Sequence, residues 1–137
     1  PRTSRVAAAL IRRVVERENP MTLWGTGEEV RDLLYVDDLV DALVLAAEKL
    51  DEHVALNVAS GEAHTVREIL QLAMEIDGYV GAKVMFDPSK PSTIPIRLLD
   101  TSLIERTLGW RAQTPLRGGL KQTLDWYLDA QRDGWEL

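Results

Sequence analysis

Trp24-Gly25-Thr26-Gly27-Glu28-Glu29-Val30-Arg31-Asp32-Leu33-Leu34-Tyr35-Val36-Asp37-Asp38-Leu39 is the stretch on which the fold turns. Two glycines one residue apart favour a tight turn, because glycine adopts the backbone angles such turns need. The apolar run Leu33-Leu34-Tyr35-Val36 predicts extended chain. Asp37 or Asp38 is then expected to cap a helix that carries Leu39, Ala42, Leu43, Ala46 and Leu50. The Gly-x-Gly opening invites a dinucleotide-loop reading. Its third glycine position holds Val30, however, and extended chain follows rather than a helix whose N-terminus would face a pyrophosphate. The plainer expectation is a turn between two strands. Asp37, Asp38 and Asp41 are read in the same way: carboxylates suit a helix N-terminus, and no histidine or further carboxylate completes a metal-ligand pattern.

On the N-terminal side, Val6, Leu10 and Val14, with Ala7, recur at helical spacing from Ser4 to about Glu18, and Asn19-Pro20 ends the helix. Met21-Thr22-Leu23-Trp24 reads as a short strand. On the C-terminal side, Val54-Ala55-Leu56-Asn57-Val58 reads as a buried strand closed by Ser60-Gly61. Thr65 and Glu68 form a capping box that opens a helix to about Ile76. Lys83 to Phe86 is a strand, residues 87–97 with three prolines form an irregular segment, and helices span Ser102–Leu108 and Leu116–Arg132. Alternating elements with no repeat and no internal boundary predict a single small α/β domain over residues 1–137.

Composition narrows the function. The chain has 137 residues, 45% of them apolar and 28% charged, which is globular rather than disordered. Sixteen basic against 22 acidic residues give a net charge of −6, arguing against nucleic acid as partner. No apolar run approaches the ~20 residues of a membrane-spanning helix. The absence of cysteine removes disulfides, thiolate metal sites and a cysteine nucleophile, and agrees with a cytoplasmic setting. His53 and His64 show no zinc-ligand spacing. The chain opens on Pro1, so a fragment or truncated relative of a longer protein is expected. Tyr79-Val80-Gly81-Ala82-Lys83 has the Tyr-x-x-x-Lys spacing by which one helical turn brings a lysine to a catalytic tyrosine. Gly78 and Gly81 break the helix that this chemistry requires, so the match reads as a coincidence.

Three arginines stand in more suggestive places. Arg31 follows the glycine turn, Arg97 leads out of the proline-rich segment, and Arg13 lies on the first helix. A guanidinium fork matches phosphate oxygens two at a time, and three converging forks would clamp a diphosphate. Trp24, at a strand end beside glycines, offers a flat face to a base or sugar. On composition alone, the competing expectation is that the arginines are solvated surface charges and Trp24 is core.

The quoted stretch closely resembles the Trp-Gly-x-Gly…Arg-Asp…Tyr-Val-Asp-Asp segment of extended short-chain dehydrogenase/reductases of the NAD-dependent epimerase/dehydratase family. The similarity continues in order through Asn57-Val58-Ala59-Ser60-Gly61, Phe86-Asp87-Pro88-Ser89-Lys90-Pro91, Arg97-Leu98-Leu99-Asp100-Thr101-Ser102, Leu108-Gly109-Trp110, Gly119-Leu120 and Trp126-Tyr127. It is nearest to the C-terminal, substrate-binding region of the GDP-L-fucose synthase branch. The resemblance implies the small substrate-binding domain of that fold, without the Rossmann half that holds NAD(P) in a full-length parent. By position it implies that Val6, Leu10, Arg13, Trp24, Arg31 and Arg97 contact a nucleotide-diphosphate sugar. It implies no cofactor-binding or catalytic residue within this chain. The partner is then the missing Rossmann domain, or a second copy in a homodimer.

Departures accompany the match. Arg5 stands where fucose synthases carry an acid histidine, and a guanidinium does not release its proton near neutral pH. Ser92-Thr93-Ile94 and Pro95-Ile96 replace the branch's Asp-Gly-Thr and Pro-Arg. The implied function is the substrate-binding part of a nucleotide-sugar epimerase, reductase or dehydratase, inactive by itself. The alternative is a non-catalytic binding module that retained the scaffold.

Overall fold

Leu10, Ile11 and Val14 project from one side of the first helix and are fully buried, which fixes the axis around which the larger core assembles. The computed structural model describes residues 6–90 and 94–135. In chain order the elements are α1 (Val6–Val15), β1 (Met21–Trp24), β2 (Val30–Arg31), α2 (Val36–Lys49), β3 (His64–Thr65), α3 (Val66–Asp77), β4 (Val84–Asp87), β5 (Ile96–Arg97), α4 (Ser102–Leu108) and α5 (Leu116–Arg132).

The strands form two small sheets. β1 and β4 pair in parallel, from Met21 opposite Val84 to Trp24 opposite Asp87. β2 is the centre of a three-stranded sheet ordered β3-β2-β5, antiparallel to β3 and parallel to β5. β1 alternates as a half-buried strand should: Met21 and Leu23 point inward, Thr22 and Trp24 outward. Its inner side chains join those of α1, α3 and α5 in one apolar cluster that includes Ile69, Leu70, Ala73, Leu120, Leu124 and Tyr127. A second cluster gathers Ala42 of α2, Ile104 and Leu108 of α4, and Trp110.

α3 starts on the expected capping box. Glu68 N–H donates to Thr65 Oγ1 at 3.1 Å and Thr65 N–H to Glu68 Oε2 at 2.8 Å. These Thr65 bonds hold the Glu68 carboxyl below its ordinary 4.5. The carboxylate form is therefore the one that the fold favours, so the cap's contribution is present above that value and fades as pH falls below it.

Three local expectations are corrected. Tyr35, not Asp37 or Asp38, occupies the N-cap of α2, so Leu33–Tyr35 are irregular and Val36 is already helical. The buried Asp38 carboxylate instead accepts the backbone N–H groups of Gln113 (3.2 Å) and Thr114 (3.0 Å), just ahead of α5. The carboxylate thus serves two backbone donors distant in sequence instead of the first turn of its own helix. Second, Leu39 and Leu43 are exposed, not core: Val36, Val40, Leu43 and Val44 form an open apolar stripe, while Ala42 faces α4. Third, Val54–Val58 is neither a strand nor buried as a whole, with Val54 exposed and only Leu56 and Val58 partly covered. Its backbone lies in no sheet among the described residues.

Candidate functional site

β2 gathers the site's charges. Parallel pairing sets Arg31 level with Arg97 of β5, so the two side chains leave the same face of the sheet on neighbouring strands. Backbone bonds fix this register: Val30 N–H to the Pro95 carbonyl (2.8 Å) and Asp32 N–H to the Arg97 carbonyl (3.0 Å). Arg31 is held at the end of the central strand, its guanidinium donating to the carbonyls of Val30 (2.6 Å) and Ile94 (2.9 Å). Arg97 is exposed. Next along, the Asp32 carboxylate ties Ser60 and Gly61 to the end of β2, accepting Ser60 N–H at 2.9 Å, its hydroxyl at 2.6 Å and Gly61 N–H at 3.1 Å.

The turn that carries the chain from Trp24 to Arg31 is cinched from within. Glu29 is 8% exposed. Its carboxylate accepts the N–H groups of Thr26 and Gly27, each at 2.9 Å. Gly27 has φ 87°, and a Cβ there would lie 2.5 Å from the Phe86 ring, so only glycine fits. From α3, Arg67 straps the same turn: its guanidinium donates to the Thr26 carbonyl (2.9 Å) and pairs with Glu28 (3.0 Å). It also sits 4.2 Å above the centre of the Phe86 ring.

The remaining expected residues are distributed as follows. Trp24 is 64% exposed at the mouth of this turn, open to a planar ligand. Arg13 reaches β1, donating to the Thr22 carbonyl at 2.6 Å and pairing with Glu18 at 3.2 Å. Leu10 is 1% exposed, wholly inside the larger core, and Val6 packs against that core. The structure thus aligns Arg31 with Arg97, sets Trp24 and Arg13 along β1, and turns Leu10 inward. Arg5, Ser92 and Thr93 lie outside the described residues.

Glu29, Asp32 and Arg67 escaped the sequence reading. Each acts through partners distant in sequence or through backbone donors, and neither leaves a spacing pattern. The two coincidental motifs resolve simply. Tyr79 follows the left-handed C-cap Gly78, and its phenol lies 3.1 Å from both the Arg17 and Glu18 carbonyls. It closes the α1–β1 connection against the end of α3. The Gly25–Gly27 turn joins β1 to β2.

That turn also fails as a cradle for NAD(P). The N–H groups of Thr26 and Gly27, which would face a pyrophosphate, are already taken by Glu29, and a strand rather than a helix follows. Among the described residues no group of His, Asp or Glu is arranged to hold a metal ion, and no helix is long and apolar enough to cross a membrane.

Comparison with known proteins places this geometry. Residues 1–59 match the profile described as the NAD dependent epimerase/dehydratase family. GDP-L-fucose synthase 1 of Arabidopsis thaliana is 39% identical over 132 residues, which is 93% of this chain and 40% of that protein. GDP-L-fucose synthase of Escherichia coli K12 is 35% identical over 144 residues, 96% of this chain and 44% of that protein. Among solved structures, the UDP-glucose 4-epimerase of Thermotoga maritima with UDP-glucose superposes with a TM-score of 0.82 at 34% identity, over 93% of this chain and 40% of the epimerase. The chain thus spans about 40% of the length of the relatives it matches. With the similarity running along nearly all of its own length and the same backbone arrangement, the chain is similar to part of the proteins of the NAD-dependent epimerase/dehydratase family.

Proposed function

We propose that residues 1–137 work as one unit, the nucleotide-sugar-gripping part of an NAD(P)-dependent epimerase, reductase or dehydratase. The observation that carries this reading is the register that sets Arg31 beside Arg97. Their backbones lie on adjacent strands about 5 Å apart, so both forks start close enough to reach the two phosphates of one diphosphate. Trp24 offers its face to the base or the sugar, and Arg13 supplies charge from the β1 side. A GDP-sugar is favoured because GDP-L-fucose synthases are similar along nearly all of this chain, and a UDP-sugar is the neighbouring possibility. Hydride chemistry at the sugar would be supplied by NAD(P), for which the Gly25–Gly27 turn is not the cradle. The expected setting is the cytoplasm, where nucleotide sugars are made.

Calorimetric titration of the intact protein with GDP-mannose, UDP-glucose and GDP at low salt tests this. Saturable binding of a nucleotide sugar is the expected result. Binding of none of them by a folded protein would leave a non-catalytic interaction module as the better account.

The open stripe on α2 bears on the partner. Val36, Val40, Leu43 and Val44 recur at helical spacing on a face turned away from α4, an arrangement that water does not favour. We infer that a companion cofactor-binding segment covers this stripe, and that a second copy substitutes when the segment is absent. Sedimentation of the 137-residue chain alone should then show self-association, reduced when Val40 and Leu43 are both replaced by aspartate. A monomer at tens of micromolar would sink this idea.

A further inference from the structure

Strands of two residues do not hold themselves in place. β2, β3 and β5 have two residues each, and a pairing that short is marginal by itself in water. The alignment of Arg31 with Arg97 therefore needs a support beyond its own ladder. The Asp32 side chain stands where such a support acts. Its Oδ1 accepts the Ser60 N–H and hydroxyl, and its Oδ2 accepts the Gly61 N–H and, at the longest of the four distances (3.5 Å), the Leu99 N–H. Ser60 and Gly61 lead into β3, while Leu99 lies just beyond Arg97 in the chain leaving β5. One half-buried carboxylate thus collects both flanking segments on the strand that carries Arg31. Its own backbone adds to this, since Asp32 N–H donates to the Arg97 carbonyl at 3.0 Å. The two segments also meet each other: Asn57 Nδ2 donates to the Asp100 carbonyl at 3.1 Å, and a Cβ at Gly61 would lie 3.3 Å from Thr101 Oγ1.

We propose that Asp32 is the positioning residue of the diphosphate clamp: its carboxylate holds β3 and β5 against β2 and so keeps Arg97 level with Arg31. The inference rests on the nucleotide-sugar reading above. Asp32 touches no ligand in this arrangement and acts through Arg97. Bonds to an ionised acceptor are the strong ones, so a single side chain can brace three short strands. An asparagine of the same size cannot take its place. It has one acceptor oxygen, and its NH2 group would face backbone donors whichever way it turned.

Amide hydrogen exchange and nucleotide titration of the intact protein test this. In Asp32→Asn, protection should fall at Val30 and at residue 32, whose N–H groups bond to the Pro95 and Arg97 carbonyls, while Ile69 and Leu70 inside α3 keep theirs. Unchanged protection at Val30 and residue 32, or a loss spread through α3, overturns the proposal. Affinity for GDP should fall about tenfold, the worth of about one charge-assisted contact. Affinity for GMP, measured by competition, should fall about twofold at most, because a single phosphate needs one fork rather than two aligned ones. Equal losses for both nucleotides would make Asp32 a general support of the fold, and an unchanged GDP affinity would remove it from the clamp; either result overturns the proposal. Ser60→Ala deletes one of the four bonds and covers an Asp32→Asn protein that does not fold: the GDP-to-GMP affinity ratio should then fall about threefold. Failure of the unaltered protein to bind GDP overturns the underlying reading, whereas the exchange result decides by itself whether Asp32 fixes the register.

Discussion

Arg31→Ala is expected to weaken nucleotide-sugar binding by about 2–4 kcal/mol, roughly thirty- to a thousandfold. The size follows from what the residue supplies: a charged fork, set level with Arg97 on the central strand and anchored by the Val30 and Ile94 carbonyls. Removal takes away charge and geometry together. Arg31→Lys separates them, because lysine keeps the charge and loses the fork. The lysine variant should fall between the two, and titration of all three proteins under one set of conditions provides the measurement. Circular dichroism and a thermal melt show whether the variants fold, since the Ile94 carbonyl loses a donor in both. An alanine variant that folds and binds as well as the original would remove Arg31 from the site.

The second large effect concerns a residue that the family resemblance assigns to the ligand and that the structure turns into the core. Leu10 is 1% exposed among Ile11, Val14, Met21 and the inner faces of α3 and α5. Leu10→Ala is expected to cost about 2–5 kcal/mol of folding stability, from lost burial and the cavity left behind. Affinity of the folded fraction should change little. Denaturant unfolding of both proteins, followed by titration where the variant is fully folded, separates the two roles. A variant of unchanged stability that binds tenfold more weakly would place Leu10 at the ligand after all.

Where local chemistry is decisive, the elements could be read directly. α4 ends at Gly109 in the left-handed region, α5 begins after Pro115, and the Thr65–Glu68 box opens α3. All three stops and starts are written within a few residues. β2, β3 and β5, by contrast, have two residues each, and their pairing exists only because distant segments meet. The Arg31–Arg97 alignment was therefore invisible as geometry, although both residues stood out by type. Val54–Val58 misled because an apolar run reports burial against something without saying whether that something lies in the same 137 residues. The α2 stripe misled for the same reason: apolar side chains at helical spacing look alike whether a neighbour covers them or not.

The turn drawn together by Glu29 and strapped by Arg67 sets a distance as well as a shape. Successive strand residues face opposite sides of a sheet, so the chain length between Trp24 and Arg31 decides which side chain faces the ligand. One residue more before β2 would put Val30 where Arg31 now stands, level with Arg97, and turn the guanidinium to the other face. With both inner N–H groups held by one carboxylate and Phe86 pressed against Gly27, the loop has no slack to absorb such an insertion. The length of this stretch thus matters as much as its side chains, because the turn is a gauge against which the binding face is cut.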